Sequence, residues 1–316
     1  MPRRVRRSGL MMPINNPRFV NNSWRRNCDS LDFDLEDSVP QSQKEYARSL
    51  VKQVIPIGLM GGADVSVRIN TATPEADIAA SAWPGMGRIA HPKTESAQRI
   101  REVDALITKY ERLRGIRVGA IEVTAMIESA LGVSNGYDIA SASPRVKAFG
   151  GGGGYDMSLD MGVDMFVGFN QFVYSAGECE LVARALGKEF SISVHMTDTS
   201  GSVSDAEATY LRAVANRKAG GRSGGGLHPN VVEPSNRGLT PPPEEVDQAR
   251  RVLSAYEEVQ RRGDAEGELN GQVIDAYEAA RAAELIDWSR LCAEKDAFKE
   301  QKRREAEGLQ PQPTAR

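Results

Sequence analysis

Cysteine, histidine and aromatic residues are all scarce in this chain of 316 residues. It has three cysteines, three histidines and 6% aromatic residues. Cys28, Cys179 and Cys292 are far apart, so they form neither a disulfide framework nor a cluster with metal-ligand spacing. We therefore expect a protein of a reducing compartment, without a zinc site built from cysteine and histidine.

Charge of one sign and long hydrophobic runs are lacking as well. The formal net charge is −3, which gives no electrostatic reason to expect nucleic acid or an anionic membrane as a partner. No run approaches the ~20 apolar residues of a membrane span. The basic start "MPRRVRRSGLMMPINN" is only briefly apolar, unlike a secretory signal. These features predict a soluble, cytoplasmic protein that binds neither nucleic acid nor membrane.

The chain does contain a regular series of short apolar segments. The segments that we interpret as strands are 8–13, 30–37, 63–70, 87–93, 118–129, 145–152, 189–196 and 224–230. The segments of helical composition between them are 41–54, 94–114, 133–141, 166–187 and 204–219. Strands that alternate with helices indicate βα units and a parallel sheet. About eight such repeats over roughly 240 residues predict a (β/α)8 TIM barrel, an α/β fold.

The composition changes after "LTPPPEEV" at 239–246. A helix at 244–262 begins with prolines and acidic residues, a favourable N-terminus. A glycine-containing link and a second helix at about 273–300 follow. We expect a TIM-barrel catalytic domain at 1–238, a C-terminal helical extension at 239–300 and a disordered tail at 301–316.

Polar side chains follow many of the predicted strands, and in a barrel they face the active site. The residues placed at this mouth are Asp34, Glu36, Asp37, Arg68, Lys93, Glu128, Asp156 and His228. Glu128 closes an apolar run, and Asp156 follows five consecutive glycines at 150–154. A carboxylate in such a place is costly to bury unless a positive group meets it.

Two carboxylates that are completed by substrate oxygens and water form a site of the kind that Mg²⁺ accepts. Arg68 is a fixed cation whose planar fork suits a carboxylate or carbonyl oxygen. Together these residues predict a site for a metal-chelating oxo or hydroxy acid, where an enolate oxygen is stabilised. The alternatives are a solvated or salt-bridged Glu128, and a glycine run that is a flexible loop or a phosphate cradle.

Several motifs occur together in one order: "DFDLEDSV", "VRIN", "PKTES", "MIESALGV", "GGYDMSLDMG", "LHPNVVEPSN" and "PPPEEV". In this order and spacing the chain resembles the citrate lyase β-subunit-like family of the HpcH/HpaI aldolase superfamily, next to the malyl-CoA lyases. The resemblance implies a TIM barrel with a C-terminal helical extension, assembled as a homotrimer or hexamer. It also implies cleavage or formation of a C–C bond β to a CoA thioester, with Mg²⁺ as cofactor and an acyl-CoA and a small oxo acid as substrates.

The resemblance also implies roles for residues at the mouth. Glu128 and Asp156 would hold Mg²⁺. Arg68 would bind the oxo-acid or thioester oxygen and stabilise the enolate. Glu36 and Asp37 would lie beside the metal and hydrogen-bond with its waters.

The remaining implied roles concern CoA and the proton. Arg18 would meet the nucleotide end of CoA, and Arg25 or Arg26 could serve where the family has a lysine-alanine pair. Asp275 in "LNGQVID" would reach the site of a neighbouring subunit as proton donor or acceptor. The segments "ISVHMTDTSG" and "KAGGRSGGGLHP" depart from the family pattern on the acyl or CoA side, which leaves the substrate open.

Several alternatives remain at this stage. The chain could be a CoA-independent oxo-acid aldolase, a thioesterase for malyl-CoA-type substrates or a non-catalytic subunit. Lys93 could bind anions or pair with Glu95 or Glu36, and Asp160 could supplement the metal site or cap the following turn. His228 is interpreted as a structural hydrogen-bonding residue.

Overall fold

Eight parallel strands pair side by side in chain order, and the eighth pairs with the first, so the sheet closes into a barrel. The computed structural model describes residues 4–164, 172–193 and 204–308. The barrel strands are β1 (Gly9–Pro13), β2 (Ser30–Asp34), β3 (Asp64–Arg68), β4 (Arg88–His91), β5 (Glu122–Ile127), β6 (Val146–Gly151), β7 (Glu189–Ser193) and β8 (Ser223–Gly226). The predicted (β/α)8 barrel is confirmed, and each barrel strand lies in a segment predicted as one, except that β8 begins one residue before its segment. Residues 166–171 of a predicted helix and 194–196 of a predicted strand, with His195, lie outside the described residues.

The helices of the first 239 residues follow the strands on the outside of the barrel. They are α1 (Pro17–Val20), α2 (Lys44–Leu59), α3 (Pro74–Ser81), α4 (Ala97–Leu113), α5 (Ala130–Ser134), α6 (Gly136–Ser141), α7 (Tyr155–Met161), α8 (Val173–Ala185), α9 (Ala206–Lys218) and α10 (Val232–Leu239). The sequence analysis did not predict α1, α3, α7 or α10, because four to eight residues are too few to show a helical period. No helix in the described ranges is long and apolar enough to cross a membrane.

Strand β2 alternates between an apolar outer face and a polar inner face. Leu31, Phe33 and Val65 are fully buried on the outer face. They pack so closely on α2 that a Cβ at Gly58 would lie 2.7 Å from Val65 Cγ2 and 3.3 Å from Phe33 Cε2. Asp32 and the other inward residues of β2 are polar, which explains why a strand of a parallel sheet shows a period of two in its sequence.

His91 lies on the outer face of β4 and is 1% exposed. The hydroxyl of Thr94 donates to His91 O and lies 2.8 Å from His91 Nδ1, so Nδ1 carries the ring proton of the neutral imidazole. Within the described residues Nε2 has no hydrogen-bond partner. Burial, together with the positive charge of Arg99, lowers the pKa of His91 to about 4.

We expect His91 to make the fold sensitive to mild acid. The unfolded chain takes up the proton near pH 6.5 and the folded chain only near pH 4, so stability is lost as the pH falls through this window. The loss amounts to roughly 3 kcal/mol at full titration. Urea unfolding at pH 7.5 and pH 4.5 measures it, and His91→Gln should reduce the difference whereas His228→Gln should not. An equal pH dependence in all three proteins would contradict this assignment.

A second compact unit comprises Thr240–Phe298. It contains α11 (Pro243–Arg262), the antiparallel strands β9 (Gly267–Leu269) and β10 (Gln272–Ile274), and most of α12 (Ala276–Gly308). The link expected between two helices is therefore a β-hairpin. Asn270 and Gly271 both have positive φ and form its two-residue turn, a use typical of Asn-Gly. The domain division at 238/239 stays a prediction as far as independent folding is concerned.

The end of α12, from Lys299 onward, belongs to the same compact unit as the barrel. Lys299 is fully buried, and its Nζ donates to Asp29 Oδ1 at 2.5 Å and to Asn27 O at 2.9 Å. Arg303 donates to the side chain of Asn27. The helix continues to Gly308 and so includes the first eight residues of the predicted tail. The charged segment "KEQKRRE" at 299–305 therefore includes a buried lysine with a carboxylate partner, which composition alone does not reveal.

Candidate active site

The carboxyl ends of β2 to β6 bring most of the predicted site residues to one mouth of the barrel. Arg68 ends β3, and Glu128 directly follows β5. Glu36 follows β2, Lys93 follows β4, and Asp156 lies in the first turn of α7 after β6. The ion pairs described below join these side chains into one cluster, as the barrel geometry predicts.

Arg68 is held in place by Asp34. The strand register sets Asp34 of β2 opposite Arg68 of β3. Arg68 Nε donates to Asp34 Oδ1 at 2.7 Å and Nη2 donates to Asp34 Oδ2 at 2.8 Å, while Nη1 lies 2.9 Å from Glu36 Oε2. Burial alone would raise the pKa of Asp34, but its hydrogen bonds and the charge of Arg68 lower it below the ordinary value. The guanidinium therefore has a fixed orientation, with one nitrogen directed toward Glu36.

Lys93 connects the remaining carboxylates. Its backbone N–H donates to Glu128 Oε2 at 2.8 Å. Its Nζ lies 2.6 Å from Glu36 Oε1, 3.1 Å from Asp37 Oδ2 and 3.4 Å from Asp156 Oδ1. Lys93 thus pairs with Glu36 and not with Glu95, which instead accepts a hydrogen bond from Ser129 Oγ at 2.7 Å.

Glu128 is a buried carboxylate whose surroundings disfavour its charged form. Burial, together with the negative charges of Asp156 and Glu36, raises the pKa of Glu128 to about 7, despite the Lys93 N–H and the charge of Arg68. The start of α5 beside it is anchored by Asp160 Oδ2, which accepts from Ala130 N at 2.7 Å. Asp160 thus binds the start of an earlier helix and not the following turn, whose cap it was considered to be.

The glycine run allows the chain to turn tightly between β6 and α7. Gly151 has φ 119°, and a Cβ there would lie 2.2 Å from Ile127 O. Gly152 has φ 71°, and its Cβ would lie 2.6 Å from Ser175 O. Any side chain at these positions would collide with backbone, which explains the run. The turn places Asp156 beside Lys93.

The donor chemistry of this mouth fits a divalent cation with oxygen ligands. Asp34, Glu36, Asp37, Glu128 and Asp156 bring five carboxylates to a region where Arg68 and Lys93 supply two positive charges. Burial and, to a lesser extent, these negative charges raise the pKa of Glu128. In the described part of the chain no three or more His, Cys, Asp or Glu residues are grouped as a metal site. Glu128 and Asp156 are the pair that the family resemblance implies for Mg²⁺, and water and substrate would complete its ligands.

The structure does not bring all predicted site residues to this cluster. Arg18 is exposed in α1, directly after β1 and thus at the mouth. Arg25 lies 4.7 Å above the ring of Trp24. Trp24 O contacts Gly61, near the start of β3, so Arg25 lies toward the opposite end of the barrel. Asp275 belongs to the second unit, where its Oδ1 accepts from Glu278 N at 2.9 Å and caps α12.

Two further residues of the cluster were placed at the mouth by the sequence analysis, Asp34 without a role and Lys93 with alternative roles. Asp34 orients Arg68, and Lys93 joins the carboxylates. The alternation of polar and apolar residues in "SLDFDLED" was a signal for Asp34, since it directs that side chain into the barrel. No comparable signal exists for the partners of Lys93.

A closed (β/α)8 barrel with an arginine and paired carboxylates at the carboxyl ends of its strands defines an enzyme of the TIM-barrel class. The HpcH/HpaI aldolase/citrate lyase family matches residues 7–228. The chain belongs to this family.

Similar proteins cover nearly the whole chain. A citrate lyase subunit beta of Leuconostoc mesenteroides subsp. cremoris is 31% identical, over 90% of this chain and 93% of that protein. An L-malyl-CoA/beta-methylmalyl-CoA lyase of Cereibacter sphaeroides is 28% identical, over 90% of this chain and 95% of that one. Both names are those of lyases, which confirms the expected enzyme class.

The fold is shared with solved structures. Protein CitE from Mycobacterium tuberculosis, solved in complex with magnesium, acetoacetate and coenzyme A, superposes with a TM-score of 0.70 at 23% identity. The match covers 90% of this chain and 98% of that one. The superposition supports the barrel and the C-terminal helix, independently of sequence.

Proposed function

We propose that this protein is a Mg²⁺-dependent carbon–carbon lyase, or the reverse Claisen-type synthase, that acts on a β-hydroxyacyl-CoA of the malyl-CoA or citryl-CoA type. The products of cleavage are an acyl-CoA and a small oxo acid. The observation that carries the proposal is the meeting of Arg68, Glu128 and Asp156 at one mouth, with Arg68 fixed by Asp34.

Each of these side chains has a distinct task. Glu128 and Asp156 would hold the ion, and Mg²⁺ would supply a Lewis acid for the oxygens of the oxo or hydroxy acid. Arg68 presents a guanidinium to the thioester oxygen and stabilises the negative charge that develops there. Glu36 and Asp37 hydrogen-bond with water at the site.

In the direction of cleavage, the hydroxyl of the substrate gives its proton to a base, the role that we propose for Asp275 of a neighbouring subunit, and its oxygen becomes the carbonyl of the oxo acid. The electron pair of the broken C–C bond passes to the thioester enolate. The enolate carbon then takes up a proton to give the acyl-CoA. Arg68 is rigid because Asp34 holds two of its nitrogens, so it need not reorganise as this charge forms.

The names of the similar proteins support the use of CoA. The lyase of Cereibacter sphaeroides is named for malyl-CoA and β-methylmalyl-CoA, and the CitE structure contains coenzyme A. Arg18 is exposed after β1 and could meet the phosphates of CoA. The position of Arg25 near Trp24, toward the opposite end of the barrel, does not support the CoA role considered for it.

One experiment tests the reaction and identifies the oxo acid. Purified protein is incubated with Mg²⁺, acetyl-CoA or propionyl-CoA, and glyoxylate, pyruvate or oxaloacetate, with an EDTA control. Mass spectrometry detects the condensed β-hydroxyacyl-CoA. A metal-dependent adduct supports the proposal. Adducts of free oxo acids with aldehydes would favour the aldolase, and free CoA with an intact hydroxy acid from malyl-CoA would favour the thioesterase.

Asp275 offers a test of a shared active site in the proposed homotrimer or hexamer. We expect Asp275→Asn and Glu128→Gln to be almost inactive when each is alone. If Asp275 serves the site of a neighbouring subunit, mixed oligomers contain some sites with both native residues and regain a measurable fraction of activity. Co-expression with two affinity tags yields such oligomers. Absence of recovery in a verified mixed oligomer would contradict the sharing of residues between subunits.

A further inference from the structure

Lys93 pairs with four carboxylates at the mouth. Its Nζ reaches Glu36, Asp37 and Asp156, and its backbone N–H donates to Glu128. Hydrogen bonds to Glu36 and Asp37 raise the pKa of Lys93 above its ordinary value, although partial burial acts in the opposite direction. With three carboxylates within 3.4 Å of Nζ, the side chain is a charged ammonium inside the cluster.

The backbone at this residue is held in an uncommon conformation. Lys93 has φ 47°, a left-handed value that side chains other than glycine rarely adopt and that costs energy. The conformation is fixed on both sides, since Lys93 N binds Glu128 and Thr94 N donates to Met126 O at 2.9 Å. With this backbone, one residue directs its N–H to Glu128 and its ammonium to the carboxylates around Asp156.

An ammonium and a divalent cation are both attracted to the same carboxylate oxygens. Nζ of Lys93 lies 3.4 Å from Asp156 Oδ1, so an ion bound to this carboxylate would lie next to the ammonium. Two positive charges on one carboxylate would repel each other strongly in a partly buried site. We propose that the Lys93 ammonium competes with the divalent cation for Asp156 and thereby sets the affinity of the site. This inference rests on the proposed metal pair.

Metal binding itself provides the test. Isothermal titration of the chelator-treated protein with Mg²⁺ and with Mn²⁺ is carried out at pH 8. Lys93→Met keeps a long, unbranched side chain but removes its charge. We expect the dissociation constant of the metal ion to fall at least about tenfold. Lys93→Arg keeps the charge and should stay within about threefold of the wild type. Lys109→Met removes a surface charge that pairs with Glu75 and should change nothing.

A second readout follows from the reciprocity of linked binding. If the ion displaces the ammonium, then Lys93 should react faster with an amine-directed reagent once Mg²⁺ is added, at least about threefold by peptide mass spectrometry. Lys109 serves as the internal reference. This readout uses the wild-type protein and therefore does not depend on the folding of a variant.

The outcomes separate this inference from the proposed function. Tighter binding by Lys93→Met and metal-enhanced labelling of Lys93 support competition. Unchanged or weaker binding by a folded Lys93→Met overturns it and leaves the metal site in place. No binding of either ion by the wild-type protein would overturn the metal site, and with it the proposed function.

Discussion

Substitution of Glu128 by Gln is expected to lower metal-dependent kcat by at least about a thousandfold while the fold persists. Loss of the carboxylate removes one of two protein ligands, and water cannot supply the same charge to Mg²⁺. The fold should tolerate the change because burial already disfavours the charged form of Glu128. The amide oxygen of Gln can still accept the hydrogen bond from Lys93 N. Steady-state kinetics with Mg²⁺ and thermal unfolding measure the two effects.

The matched control is Glu75→Gln. Glu75 is exposed on α3 and pairs with Lys109, so its loss changes the net charge equally without affecting the mouth. We expect its kcat to equal that of the wild type. A Glu128→Gln protein with near wild-type activity would remove Glu128 from the metal site, and a large drop in its melting temperature would point to a structural role.

Substitution of Arg68 by Lys should lower kcat/KM by about a hundredfold to a thousandfold. The guanidinium uses two nitrogens on Asp34 and a third beside Glu36. A lysine ammonium is a single point charge and cannot keep this geometry while it stabilises an enolate. We also expect a loss of about 1–3 kcal/mol in the free energy of unfolding, because Asp34 stays buried with a poorer partner.

Deuterium exchange at Cα of acetyl-CoA separates catalysis from stability. Enolate formation in D₂O with Mg²⁺ labels this carbon, and Arg68→Lys should label it about a hundredfold more slowly. Arg88→Lys is a matched control, since Arg88 pairs with Asp32 deeper in the barrel. It should lose stability with little effect on exchange. Equal exchange by wild type and a folded Arg68→Lys would exclude Arg68 from enolate stabilisation.

The sequence was sufficient for the barrel because short apolar segments alternate with segments of helical composition about eight times. Polar residues at the ends of the apolar segments indicated the mouth. In β2, apolar Leu31 and Phe33 face outward and polar Asp32 and Asp34 face inward. The short helices α3 and α7 gave no such signal. Asn270 and Gly271 are a typical pair for a hairpin turn, but the sequence analysis used them only as part of the family motif "LNGQVID".

The family motifs likewise indicated Glu128, Asp156, Arg68, Glu36 and Asp37 before any geometry was known. What they could not indicate was how the charges pair. That result depends on distances between residues remote in sequence, and a carboxylate gains as much from one nearby cation as from another.

The sequence by itself therefore determined the order of strands, the barrel and the residue types at its mouth, because local periodicity and motif spacing carry that information. Only the tertiary structure decided the pairs. The β2–β3 register sets Asp34 opposite Arg68, and closure of the strands brings Lys93 to Asp156. Packing of α12 buries Lys299 against Asp29 across 270 residues. Such pairs form between residues that are remote in sequence and are brought together by the tertiary fold, so no local sequence pattern predicts them.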